Sequence, residues 1–138
     1  MAVVYTSEVV STGDGRNGEV RSADGILDLS LTSPKEVGGS GTGTNPEQLF
    51  AAGYAACFHS ALRLCARDAR VPLGDDTVTA RVSLEKDDGG YFLSVVIAVD
   101  VPGVDRDTAV DLVGKAHGRC PFSKAVKGNT EVRLDVVS

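Results

Sequence analysis

Apolar and β-branched residues alternate or cluster over Ala2–Val10, Ile26–Leu31, Thr77–Leu84, Tyr91–Val101 and Glu131–Val137, which predicts strands bounded by Gly, Asp and Pro turn signals. Asp87-Asp88-Gly89-Gly90 separates the third of these from the fourth and has the composition of a hairpin turn. From Gln48 to Ala66 the alternation is lost and apolar residues occupy nearly every face, the pattern of a helix buried on all sides. Asn45-Pro46-Glu47-Gln48 reads as its start: Asn45 can cap, Pro46 suits the first turn, and Gln48 can reach back to the capping residue. Length alone would allow this helix to cross a membrane. His59 and Arg63 interrupt it, and Ala and Gly supply much of it, so the reading is a buried helix of a soluble protein. One small domain has difficulty wrapping such a helix. Its Ala51, Ala52, Gly53, Ala55 and Ala56 leave room for another backbone, and a partner subunit is a natural source. A second helix is predicted from about Asp105, an acidic cap ahead of Ala109, Val110, Leu112, Val113 and Ala116, ending at Gly118. The order of strands, central helix, hairpin, helix and strand is α+β, built on a largely antiparallel sheet.

Composition narrows this picture. With 138 residues, 42% of them apolar, the chain can close one hydrophobic core but not two. It reads as a single domain over 1–138, because Gly38 to Gly43 (GGSGTG) is a loop too short to separate domains. A formal charge of −5 without a Lys/Arg stripe argues against nucleic acid as a partner. MAVVYTSEVV has no basic leader followed by an apolar block, so no secretory signal is read there, and a cytoplasmic protein without membrane contact is expected.

Cysteines carry the candidate chemistry. Positions 57, 65 and 120 are an odd number at wide spacings, unlike a secreted disulfide framework. Cys57 lies mid-helix, where it is either a small core residue or a nucleophile needing a source of positive charge. His59, two residues on, points to the opposite side of a helix. Arg16, in the Gly-rich turn GDGRNG, is a candidate because a hairpin tip can aim a long side chain at a distant pocket. Cys120 sits in GRCPFS, and Pro121 can open a new helix, placing Cys120 at a helix N-terminus that would favour its thiolate. Cys65, about 12 Å along the helix from Cys57, is read as core. His59 is expected to be a partly buried helix residue and His117 an exposed helix end. His117 and Cys120 have no second close Cys/His pair to complete a zinc site, so no metal is expected.

TNPEQLFAAGYAACF around Cys57, GRCPFS around Cys120, SADGILDLSL, the GGSGTGTNPEQ loop and the closing EVRLDV strand together resemble the organic hydroperoxide resistance proteins (Ohr) of the OsmC/Ohr superfamily. The likeness extends over almost the whole chain. It implies an OsmC/Ohr-like fold, an intertwined homodimer, and a thiol peroxidase without a bound cofactor that reduces organic hydroperoxides. The implied reductant is a dithiol, in the first place a lipoyl group on a protein. Carried over, the attacking cysteine is Cys57, the resolving cysteine Cys120, the activating arginine Arg16, and the glutamate holding it Glu47. Phe50, Tyr54, Phe58 and Phe122 are candidates for an apolar wall around a bulky peroxide. Two departures stand out: TGDGR is one residue longer than the family's Thr-Gly-Gly-Arg, which leaves Arg21 as the alternative to Arg16, and Phe122 stands where Tyr is usual. Glu47 and Cys57 are ten residues apart on one predicted helix, a rise of about 15 Å, yet the family places both at one active site. Sites shared across a two-fold axis, with Glu47 and Arg16 given in trans, are therefore expected. The nearest rival is an OsmC-like peroxidase. The rival of another class is a non-catalytic dimer that binds a small molecule, with Cys57 as packing.

Overall fold

The computed structural model describes residues 1–137, which gather into two compact units, Met1–Leu49 and the residues from Phe50 onwards.

In the first unit, β1 (Val9–Asp14), β2 (Asn17–Ser22) and β3 (Asp28–Ser30) form an antiparallel sheet in that order. The strand expected over Ala2–Val10 therefore begins only at Val9, where pairing with Ser22 starts; Val3, Val4 and Tyr5 are exposed. Strand β2 has no apolar run to announce it, and its ladder to β1 on one side and β3 on the other defines it instead. Ile26, expected in a strand, is exposed in a turn that Ser22 and Asp24 hold through bonds to the Leu27 and Ile26 amides. At the β1–β2 tip Asp14 faces Asn17, Gly15 takes a φ of 60°, and the Gly18 amide donates to the Gly15 carbonyl at 3.1 Å. The tip residue is Arg16.

Helix α1 (Pro46–Asp68) begins as the sequence suggests, with the Gln48 amide donating to Asn45 Oδ1 at 2.9 Å. The reciprocal bond differs: Gln48 Oε1 accepts from Thr44 Oγ1 at 2.7 Å rather than from the Asn45 backbone.

In the second unit β4 (Thr77–Asp87) and β5 (Gly90–Asp100) form the expected hairpin, with Asp87 opposite Gly90. Strand β6 (Glu131–Val137) lies parallel to β5. The sheet is thus mixed, because the chain between β5 and β6 crosses over through α2 (Arg106–Arg119) and α3 (Pro121–Val126) instead of turning back. Asp105 caps α2, accepting from the Thr108 amide at 3.1 Å, and α2 runs one residue beyond Gly118. Alternate residues of the sheet, Val78, Ala80 and Val82 with Val95, Ile97 and Val99, point into the core, where they meet Leu62 and Leu112. Burying a leucine such as Leu62 fully stabilises the fold by about 2 kcal/mol.

Helix α1 is long and apolar enough to span a membrane by length and composition, but its buried residues, Tyr54, Phe58, Ala61, Leu62, Cys65 and Ala66, fall on one face of a packed core. It is not buried on all sides. Ala52, Ala56 and Ser60 are exposed, so the helix is wrapped on one face and open on the other.

Candidate active site

Two side-chain clusters gather the candidate residues. In the first unit the Arg16 guanidinium forks onto the Glu47 carboxylate, Nη2 to Oε1 at 2.7 Å and Nη1 to Oε2 at 3.0 Å. Glu47 occupies the first turn of α1, so the capped helix start fixes one partner and the hairpin tip delivers the other. The bidentate bond raises the Arg16 pKa and, chiefly through the same bond, lowers that of Glu47. Almost half of the Arg16 side chain stays exposed, against 15% for Glu47. Arg16 rather than Arg21 meets the glutamate.

In the second unit Cys57 Sγ and Cys120 Sγ are 3.4 Å apart, both as free thiols. Cys57 comes from the middle of α1 and is partly exposed, whereas Cys120, the residue joining α2 to α3, is wholly buried. Cys120 is indeed the N-cap of α3, but its side chain makes no capping bond. The free amide at that helix start, from Phe122, points to Cys57 instead. Burial pushes the Cys57 thiol above its ordinary pKa, the Phe122 amide works against this, and the neighbouring Cys120 adds to the rise.

Three of the four aromatic candidates meet beside the thiols. Tyr54 packs edge-on to Phe50 with centroids 6.2 Å apart, and Phe122 lies 5.9 Å from Tyr54 and 6.4 Å from Phe50. Gly53 admits the Phe122 ring, since a Cβ there would come within 3.1 Å of it. One of the small residues of α1 thus has its reason inside the chain. Phe58 is fully buried in the core, and so is Cys65 at 4% exposure. Burial raises the Tyr54 phenol, its bond to Ser123 opposes this, and negative charge on Cys120 or Cys57 raises it further.

Sequence reasoning missed two polar residues of this cluster. Ser123 is buried and its Oγ lies 2.7 Å from the Tyr54 hydroxyl and 2.9 Å from His117 Nδ1. His117, expected to be exposed, is half-buried by this contact. The available signal was spacing, because His117 and Ser123 stand three residues before and three after Cys120. His59 is half-buried, 2.6 Å from Asp76 and directed away from the thiols. Among the described residues no group of three His, Cys, Asp or Glu side chains is placed to hold a metal.

The model of the family described as OsmC-like protein matches residues 39–135. The chain is 49% identical over 137 residues to the organic hydroperoxide resistance protein OhrA of Bacillus subtilis, covering 96% of each. It is 44% identical over 135 residues to OhrB of the same organism, covering 96% of this chain and 98% of the relative. Among solved structures, an organic hydroperoxide resistance protein of Legionella pneumophila superposes with a TM-score of 0.93 at 45% identity, covering 99% of this chain and all of the other.

Proposed function

The chain belongs to the OsmC-like protein family, on the branch of the organic hydroperoxide resistance proteins, and from that premise we propose that it is a cysteine-based peroxidase reducing organic hydroperoxides to alcohols. The observation that carries this reading is the thiol pair: one partly exposed cysteine within 3.4 Å of a wholly buried one. A peroxide entering from solvent meets Cys57 first, and Cys120 stands behind it to close a disulfide.

The Cys57 thiolate attacks the terminal oxygen of ROOH. The O–O bond breaks, the oxygen stays on sulfur as a sulfenic acid, and the alkoxide leaves as the alcohol after taking a proton. Cys120, as thiolate, then displaces the sulfenic hydroxyl, which leaves as water, and a Cys57–Cys120 disulfide forms. An external dithiol, in our reading a lipoyl group on a protein, reduces it by exchange and is itself oxidised. Because burial holds the Cys57 pKa up, the thiolate needs a positive charge, and Arg16, held in register by Glu47, is the group we assign to supply it. Phe50, Tyr54 and Phe122 offer an apolar wall that favours organic peroxides over hydrogen peroxide. The working form is a homodimer in a reducing compartment. The open face of α1 and the exposed Val3, Val4 and Tyr5 support a partner copy.

The test is consumption of cumene hydroperoxide and hydrogen peroxide, each with dihydrolipoamide and with glutathione. Fast turnover of cumene hydroperoxide with dihydrolipoamide is expected. Absence of turnover in all four combinations would leave the fold as a binding module and sink the proposal.

A further inference from the structure

The peroxidase reading uses the thiols, the ion pair and the apolar rings, but not the buried hydroxyl that joins three helices of the second unit. Ser123 Oγ bonds His117 Nδ1 across the corner between α2 and α3, and Cys120 is the middle residue of that corner. The Cys120 backbone is tied on both sides, its amide to the Ala116 carbonyl at 2.9 Å and its carbonyl to the Lys124 amide at 3.1 Å. Backbone bonds alone fix the chain path. The side-chain bond from His117 to Ser123 closes the corner from the other side.

The same hydroxyl is bonded to Tyr54, which lies one helical turn before Cys57 and so on the same side of α1. Two parallel connections therefore link α1 to the corner: Tyr54 to Ser123 at 2.7 Å, and Cys57 to Cys120 at 3.4 Å. Tyr54 and Cys57 are three residues apart on α1, as Cys120 and Ser123 are across the start of α3. A disulfide needs its sulfurs about 2.05 Å apart with a dihedral near 90°, so the thiols must close by about 1.4 Å without turning away. The Tyr54 phenol is raised chiefly by burial, and charge on either cysteine adds to the rise. Among the described residues no buried side-chain polar atom lacks a partner, so deleting the Ser123 hydroxyl would strand both of its neighbours.

We propose that Ser123, with Tyr54 and His117 bonded to it, positions Cys120 against Cys57 for disulfide closure, without taking part in the attack of Cys57 on its substrate. These are positioning residues for the resolving step. The inference rests on the resolving role given to Cys120 above, and its test is chosen not to need a peroxide.

An aromatic disulfide, 5,5′-dithiobis(2-nitrobenzoate), separates the two steps in a Cys65→Ser background. Cys57 thiolate attacks one sulfur and expels a first coloured thiolate. Cys120, losing its proton to solvent, then attacks the Cys57 sulfur of the mixed disulfide and expels the second. Stopped-flow absorbance reads both releases. Ser123→Ala is expected to slow the second release about tenfold while leaving the first within about twofold, and Tyr54→Phe, which keeps the ring and removes only the hydroxyl bonded to Ser123, to slow the second release about tenfold. The double variant should be no slower than the slower single one, since the residues act as a unit. His117→Ala should also slow closure, and His117→Asn, whose amide can bond Ser123, should restore most of it. Tyr54→Phe and the His117 pair keep the test open should Ser123→Ala fold poorly. A second release within about twofold of the parent in Tyr54→Phe, equal slowing of both releases, or no rescue by His117→Asn would each overturn the proposal. Run with cumene hydroperoxide instead, the parent protein tests the peroxidase reading separately: unoxidised Cys57 would sink that reading and leave the aromatic-disulfide result to decide this one.

Discussion

Cys57 and Cys120 are chemically alike and differ in what surrounds them. Cys57 is reachable from solvent, receives the Phe122 amide and lies in an environment that raises its pKa; Cys120 is sealed at a helix junction. Cys57→Ser is therefore expected to abolish peroxide reduction, since an alcohol has no sulfenic state. Cys120→Ser should react once and then pass to sulfinic acid under excess peroxide, a gain of 32 mass units (roughly, two oxygens) visible by mass spectrometry. Normal turnover of Cys120→Ser with a dithiol would remove it from the cycle, and Cys65→Ser should keep full activity. Burial favours the protonated thiol at neutral pH, so Cys57 should gain reactivity as pH rises. Arg16→Ala should move that profile to higher pH and slow alkylation at pH 7 by about tenfold, whereas Arg21→Ala should leave it nearly unchanged. Iodoacetamide labelling against pH distinguishes them, and a larger effect of Arg21→Ala would reassign the cation. The pairings of Arg16 with Glu47 and of Cys57 with Cys120 were legible in the sequence because each residue is chemically distinctive and sits in a recognisable motif. Ser123 and His117 were not, because a serine and a histidine on short helices acquire meaning only when a corner and a tyrosine from another helix meet them.

At the scale of elements, the helices were read more closely than the sheets. Caps and apolar periodicity are local, so Asn45 and Asp105 mark the starts of α1 and α2 to within a residue. Strand pairing is not local: β2 carries little apolar signal, and the parallel β5–β6 pairing depends on a crossover of some thirty residues, which a run of alternating residues does not encode. One element contact invites a direct test. Asp76, just ahead of β4, is almost completely buried and takes Arg63 Nη2 at 2.6 Å, Arg63 Nε at 2.9 Å and His59 Nε2 at 2.6 Å, pinning the loop after α1 back onto the helix. These bonds, Arg63 foremost, hold its pKa down to about 2 from 3.8. A depressed folded-state pKa stabilises the fold above the unfolded value and loses that contribution as pH falls through the folded one. Asp76→Asn should thus cost about 2 kcal/mol at pH 7. The gap to the parent protein should narrow between pH 4 and pH 2, as followed by urea unfolding. A gap independent of pH over that range would mean that packing rather than charge holds the loop.

For the whole molecule, we propose that two copies of the chain complete each other's site. Glu47 and Arg16 form one rigid ion pair, and Cys57 with Cys120 forms the other half of the proposed machinery. Glu47 and Cys57 are separated by ten residues of α1, a rise of about 15 Å, and the exposed Ala52 and Ala56 lie between them in the sequence. Small side chains there allow two copies of the helix to cross closely, and a two-fold axis near Ala52 would exchange the two halves between copies. On that arrangement each site draws its ion pair from one subunit and its thiols from the other. Glu47→Ala and Cys57→Ser homodimers should each be strongly impaired. After subunit exchange, a heterodimer of the two carries both lesions in one site and none in the other. A one-to-one mixture that exchanges fully makes half of its dimers heterodimeric, so about a quarter of the parent sites should be restored. Exchange can be verified by native mass spectrometry of differently tagged copies. Activity that stays at the sum of the two parents, with heterodimers present in the expected proportion, would place the ion pair and the thiols of each site in the same subunit.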